Sequence, residues 1–199
     1  MRSVLALVLA ALIAAPAWAD CPAAPDLAEA DPIYDALALA PNAAAARDGS
    51  GALWAFWLRA PDARAQALLD RGMRQREGFD LLNSRITLGM LTEYCPDYAE
   101  GWNQRAFASF LGGLHAAALE DLDRALALNP RHLGALTGRA LTLVELERFA
   151  EAQADVRRAL DLNPWLAERG ILSLDPETGL FDPDRDPGRP GERPSGIEL

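Results

Sequence analysis

The sequence predicts an all-α fold, a short solenoid of about three stacked helical hairpins with flanking capping helices. Three observations predict it. First, Asn129-Pro130 recurs as Asn163-Pro164 after 34 residues, and the same step backwards reaches Pro96; self-similarity at a period of about 20–50 residues marks a repeat array. Second, Ala and Leu supply most of the hydrophobic half of the chain, while Ile and Thr are sparse and Tyr occurs three times. That balance argues against a β-sandwich, whose strands favour β-branched and aromatic side chains. Third, apolar residues inside each 34-residue unit recur at three- and four-residue steps, the helical period.

Taken in chain order, Met1-Arg2 is positively charged, Val4 to Ala15 is apolar, and Ala17-Trp18-Ala19 places small residues at the −3 and −1 positions. This pattern predicts an export signal over 1–19, cut before Asp20. The apolar run is shorter than the roughly 20 residues a bilayer span requires. A lipid-modified Cys21 does not fit, because such cysteines follow a small residue and Asp20 precedes this one. An uncleaved anchor is the alternative. The chain has no Lys and abundant Ala and Arg, a composition suited to a GC-rich bacterial genome. Export in a Gram-negative cell would deliver it to the periplasm without stable membrane insertion. Loss of the signal removes one charge, Arg2, leaving 18 basic against 29 acidic side chains, a net −11. That charge excludes nucleic acid as a default partner and disfavours anionic membrane surfaces.

Residues 20–64 form an N-terminal helical segment, with a short helix at 32–40 and a longer one at 43–58. Trp54 and Trp57 of the longer helix are expected to cover the open face of the first repeat. Cys21 and Cys95 are the two cysteines of the chain. In an oxidising compartment an even count predicts a disulfide between them, with two free thiols as the alternative. They form no CxxC pattern, so a redox activity has little support.

The repeats fall at 65–98, 99–132 and 133–166, and the last two agree at 11 of 34 positions without a gap. Arg105-Ala106 matches Arg139-Ala140, Ala118 matches Ala152, Asp121 matches Asp155, and Leu128-Asn129-Pro130 matches Leu162-Asn163-Pro164. The pattern resembles the tetratricopeptide repeat. Trp102, Ala106, Ala118, Leu122, Ala125 and Pro130 stand at its signature positions, as do Leu136, Ala140, Ala152, Val156, Ala159 and Pro164. The unit at 65–98 is degenerate, with Leu91 where the family has Ala. The resemblance implies a right-handed α-solenoid of TPR-type hairpins. The physics stands beside it: small residues let paired helices approach, Gly112-Gly113 breaks the hairpin, and each Pro lies just past a helix end. One hairpin cannot bury its apolar face alone, so neighbours stack. After Pro164, residues 165–169 are expected to begin a short terminal helix. From Ser173 the chain turns Pro-, Gly- and Asp-rich, and 167–199 is expected to end as a disordered tail.

Catalytic constellations are scarce. No GxSxG, HExxH, Walker or GxGxxG pattern occurs, and the two histidines are His115, packing at a helix start, and His132, in an inter-repeat loop. No catalytic residue, metal ligand or cofactor is assigned. Arg71, Arg105 and Arg139 share one repeat position. Asp121 and Asp155 follow the latter two by sixteen residues, which predicts intra-repeat Arg–Asp pairs of bidentate form. An Arg ladder for an acidic peptide terminus is the functional alternative. Arg71 lacks the partner, since Thr87 occupies that place.

The family resemblance implies a concave face lined by first helices. Its candidate partner-binding residues are Met73 and Arg76 of the first repeat, Asn103, Phe107, Phe110 and Leu111 of the second, and Thr137, Leu141, Val144 and Glu145 of the third. The middle of this surface is apolar and aromatic, as peptide grooves often are. Alternatively, the flanking helices fold over it and make it core. The Lys/Asn/Arg carboxylate clamp of chaperone-binding members is not matched. The leading expectation is a periplasmic, non-enzymatic scaffold or assembly factor that holds a protein partner's peptide or helix. A binder of a small apolar ligand is the second class and an enzyme the third, and fold alone does not choose among them.

Overall fold

The computed structural model describes residues 21–185, 187–188 and 190–191. The expected signal at 1–19 and the last residues, 192–199, lie outside them. The described helices are α1 (Asp31–Ala38), α2 (Ala43–Trp57), α3 (Ala63–Glu77), α4 (Leu81–Tyr94), α5 (Ala99–Leu111), α6 (His115–Leu128), α7 (Leu133–Glu145) and α8 (Phe149–Leu162). Short 3-10 turns at Leu27–Ala30 and Ala167–Ser173 flank them. Among the described residues no helix is long and apolar enough to cross a membrane.

The pairs α3/α4, α5/α6 and α7/α8 are the hairpins, and α4 packs on α5 and α6 on α7 to stack them. Small side chains permit the close pairing: Ala106, Ala118, Ala140 and Ala152 are fully buried. At Gly72 a Cβ would lie 2.5 Å from Leu88 Cγ, so α3 and α4 meet too closely for any side chain there. Each hairpin turn needs one left-handed residue, supplied by Phe79 (φ 59°), Gly113 (φ 71°) and Glu147 (φ 58°). Glycine adopts this conformation without strain, whereas a bulky side chain costs about 1–3 kcal/mol there.

The caps follow the sequence. Asp62 accepts from the Ala65 amide at 2.8 Å to start α3, and Asn42 accepts from the Ala44 and Ala45 amides to start α2. His132 begins α7, its Nδ1 accepting from the Ala135 amide at 3.2 Å. It is the last residue of the inter-repeat loop, as expected, and is fully buried as the N-cap of α7.

The N-terminal hairpin departs from expectation. Trp54 and Trp57 do not cover the first repeat. Instead, α1 and α2 pack into one core with α5, α6 and α7, joining Tyr34, Leu37, Leu53, Phe56 and Trp57 to Ala106, Leu122, Leu133 and Leu136. Polar contacts fix the register along the inter-repeat turns. The Tyr34 hydroxyl donates to the Arg131 carbonyl at 2.6 Å, Tyr98 donates to the Trp57 carbonyl, and Trp165 Nε1 donates to the Ala40 carbonyl at 2.8 Å. The open side of the first repeat is covered by Ala24, Leu58 and Ala60, with Cys21 bonded to Cys95 across 74 residues of sequence.

The tail also differs. Where disorder was expected from Ser173, a bridge joins Leu174 to Phe181 around a turn closed by the Gly179 amide on the Asp175 carbonyl at 2.8 Å. Gly179 lies so close to Phe149 that a Cβ would sit 2.2 Å from its Cζ. Gln153 Nε2 donates to the Leu174 carbonyl at 2.6 Å. Together these cap the last repeat, and the short terminal helix expected after Pro164 is a 3-10 helix at Ala167–Ser173.

Candidate binding cleft

Two glycines open the site. Gly134 and Gly138 lie one turn apart on α7, Gly134 toward Asn103 of α5 and Gly138 toward Leu122 of α6. The resulting cavity of about 210 Å³ is walled by Asn103, Ala106, Phe107 and Phe110 of α5, by Gly134, Thr137, Gly138, Leu141 and Thr142 of α7, and by Leu122 and Trp54. The two threonine hydroxyls are satisfied within α7: Thr137 donates to the Leu133 and Gly134 carbonyls and Thr142 to the Gly138 carbonyl. The remaining surface is therefore largely apolar, and no charged residue lines it. Its rim is open to solvent, with Phe107 44% and Leu141 39% exposed.

A buried polar chain holds the rim residues from below. Arg76 Nη1 donates to Gln104, and Gln104 donates to Glu100. The other Glu100 oxygen lies 2.8 Å from His132 Nε2 and accepts from Asn103 Nδ2 at 3.1 Å. Because His132 Nδ1 accepts a backbone proton, Nε2 is the nitrogen that donates to Glu100. This chain ties all three repeats together, and the satisfied carboxylate rigidifies the packing around it. Burial pulls the Arg76 guanidinium below its ordinary value, opposed by Glu77 and Glu100. Its plane covers the Phe107 ring at 4.4 Å, a cation–π contact that orients the rim aromatic.

The structure thus gathers Asn103, Phe107, Phe110, Thr137 and Leu141 around one cleft, with Leu111 exposed beside it. Other expected binding residues lie elsewhere. Arg76 is 8% exposed and acts from beneath, and Met73 packs into the core of the first repeat. Val144 packs toward Val156 and Leu160. Glu145 is exposed, 3.9 Å from His115, and His115 itself meets Phe110 edge to face. Trp54 and Gly138 belong to the cleft but carry no repeat signature that marks them. The glycine spacing on α7 was the available signal.

The arginines sit away from the cleft. Arg105 Nε and Nη2 donate to the two Asp121 oxygens at 2.8 and 2.5 Å, and Arg139 grips Asp155 the same way at 2.7 and 2.8 Å. Each third edge reaches the preceding repeat, Arg105 Nη1 to Thr92 Oγ1 at 3.0 Å and Arg139 Nη1 to Asp123 at 2.6 Å. The hydrogen bonds donated to Asp121 and Asp155 raise both guanidinium values despite burial. Arg71 is exposed and Thr87 is buried.

No family model matches the chain. A TPR repeat-containing protein of Rhizobium etli is 35% identical over 106 residues, covering 48% of this chain and 49% of that protein. Tetratricopeptide repeat protein 36 of Bos taurus is 34% identical over 126 residues, covering 61% of this chain and 67% of the relative. The chain thus spans about half the length of the bacterial relative. Among solved structures, the first TPR of Spaghetti (RPAP3) bound to the HSP90 peptide SRMEEVD is 25% identical with a TM-score of 0.52, covering 53% of this chain and 83% of that one.

Proposed function

The chain belongs to the tetratricopeptide-repeat family, and from that premise we propose that it is a non-enzymatic interaction module whose α5/α7 cleft holds an apolar peptide or helix of a protein partner. The observation that carries this reading is the exposed pair Phe107 and Leu141 at the rim of an apolar cavity, with Leu111 exposed beside it. Aromatic and aliphatic anchors that become desolvated usually dominate binding energy. The solved relative holds the peptide SRMEEVD, which supports peptide binding by the fold. An acidic tail suits this chain poorly, because its cleft has no lining charge and its net charge is −10. A cavity of about 210 Å³ also falls below the roughly 300–1,000 Å³ of small-molecule pockets. It favours a partner's side chain over a complete small ligand.

We place this activity in the periplasm. The residue pattern at 1–19 supports that reading, as does the Cys21–Cys95 bond, since such bonds persist in oxidising compartments.

The test uses the disulfide-intact chain as bait in a periplasmic extract. Phe107→Ala and Leu141→Ala should each weaken capture by at least about tenfold, and Glu151→Ala on α8 should leave it unchanged. Equal capture by all variants would remove the cleft from consideration. A small apolar molecule retained in native mass spectrometry would favour the small-ligand reading instead.

A further inference from the structure

One polar group in the cleft is left over by the fold. Asn103 is 7% exposed and stands on the wall of the cavity between α5 and α7. Its Nδ2 donates to Glu100 Oε2 at 3.1 Å. A carboxylate only accepts, and Glu100 also takes bonds from Gln104 and His132, so the nitrogen is the end of the amide that must face it. Glu100 lies one turn before Asn103 on α5 and does not line the cavity, whereas Ala106 and Phe107 lie one turn after it and do. The amide oxygen is therefore turned toward the cavity, and among the described residues no group donates to it. The threonine hydroxyls of the same walls are turned back on carbonyls of α7, and Trp54 brings only a donor.

Resting on the reading of this cleft as a peptide site, we propose that Asn103 Oδ1 selects the partner's anchor residue: an aromatic side chain with a hydrogen-bond donor on its edge, Trp or Tyr, in preference to a plain apolar one. Complementarity picks this class by exclusion. A Leu, Ile or Phe anchor drives water from Oδ1 and leaves it buried without a donor, the costly case for a buried acceptor. Lys or Arg is stripped of water with no counter-charge on the lining. Ser and Thr carry a donor but leave most of the roughly 210 Å³ unfilled, and unfilled apolar space is destabilising. Asn, Gln and His bring further polar atoms that the walls do not match. An indole or a phenol fills the apolar space with a ring, packs against Phe107 and Phe110, and sets one N–H or O–H on Oδ1. The acceptor is also held ready. Glu100 fixes the amide nitrogen and is itself fixed by Gln104 and His132, so the oxygen does not have to be ordered when the anchor arrives.

Selection of a random displayed peptide library on the disulfide-intact chain reads this directly. Peptides that need the cleft, recognised by at least about tenfold weaker binding to Phe107→Ala, are expected to share one Trp or Tyr. Replacing that residue by Phe, or a Trp by its Nε1-methyl form, should lower affinity for the unmodified chain by at least about tenfold. On Asn103→Leu the parent and donor-less peptides should bind equally, a loss of discrimination that a merely structural role for Asn103 would not produce. Circular dichroism shows whether that variant is folded. If it is not, the donor-less peptides on the unmodified chain decide alone, and equal affinity there overturns the assignment. Cleft-dependent peptides anchored by Leu, Ile or Phe would overturn it while leaving the cleft as the binding site. So would an Asn103→Leu loss that is the same for parent and donor-less peptides, which would give Oδ1 to a peptide backbone N–H. Selected peptides that are all indifferent to Phe107→Ala would remove the cleft itself, and this assignment with it.

Discussion

Trp57 lies on the imidazole of His132, ring centroids 4.0 Å apart and planes 20° from parallel. This stack joins the end of α2 to the first turn of α7, and His132 in turn grips Glu100. Trp57 is 6% exposed, so Trp57→Ala should cost about 3–5 kcal/mol. Denaturant unfolding followed by circular dichroism measures it. A loss under about 0.5 kcal/mol, within the range of surface substitutions, would mean that α2 is not docked on the repeats.

The Arg105–Asp121 pair should act as a unit. Asp121 is nearly buried, its side chain 8% exposed, and that of Arg105 is 26% exposed. Removing either should cost about 2–3 kcal/mol, below the value for a fully buried pair because solvent reaches the guanidinium. The double variant should cost less than the two losses combined. Additive losses would show that the contact contributes nothing of its own.

All three tyrosines should resist ionisation in the folded chain. Burial raises the Tyr34 hydroxyl to about 12 and lifts Tyr98 further, while the bond to Asp62 raises Tyr94. A folded value above the unfolded one of about 10 means these groups contribute stability that is complete below pH 10. That contribution is lost as pH climbs through the folded values. Tyrosinate absorbance should therefore appear well above pH 10, together with loss of helix. A normal titration near pH 10 in the folded protein would contradict the burial of Tyr34.

Reduction of Cys21–Cys95 should destabilise the chain by about 4 kcal/mol in the chain-entropy view, less if the unfolded state retains structure. Comparing unfolding curves with and without reductant decides it. Unchanged midpoints would show that the 74-residue loop is already held by other contacts.

The repeat array was legible because its information is local and periodic. The Arg–Asp spacing, the small residues between paired helices and the prolines after them all repeat every 34 residues. The docking of α1 and α2 had no such signal. Whether Trp57 meets the first repeat or the third depends on partners such as His132 and Tyr98, far away in sequence. Arg76 misled for a related reason: its repeat position suggests the concave surface, but Gln104 on the next first helix draws it inward. The tail read as disordered from its composition, yet Gly179 and Gly191 fit against Phe149 and Trp165, contacts that composition does not encode.

The cleft is tested most directly by site-specific photocrosslinking in cells that produce the chain. A photoreactive residue placed at Phe107, Leu111 or Leu141 is expected to trap a protein partner, and one placed at Glu151 or Ala154 on α8 is not. Crosslinks confined to the α8 positions, with none from the three cleft positions in a folded chain, would contradict binding between α5 and α7.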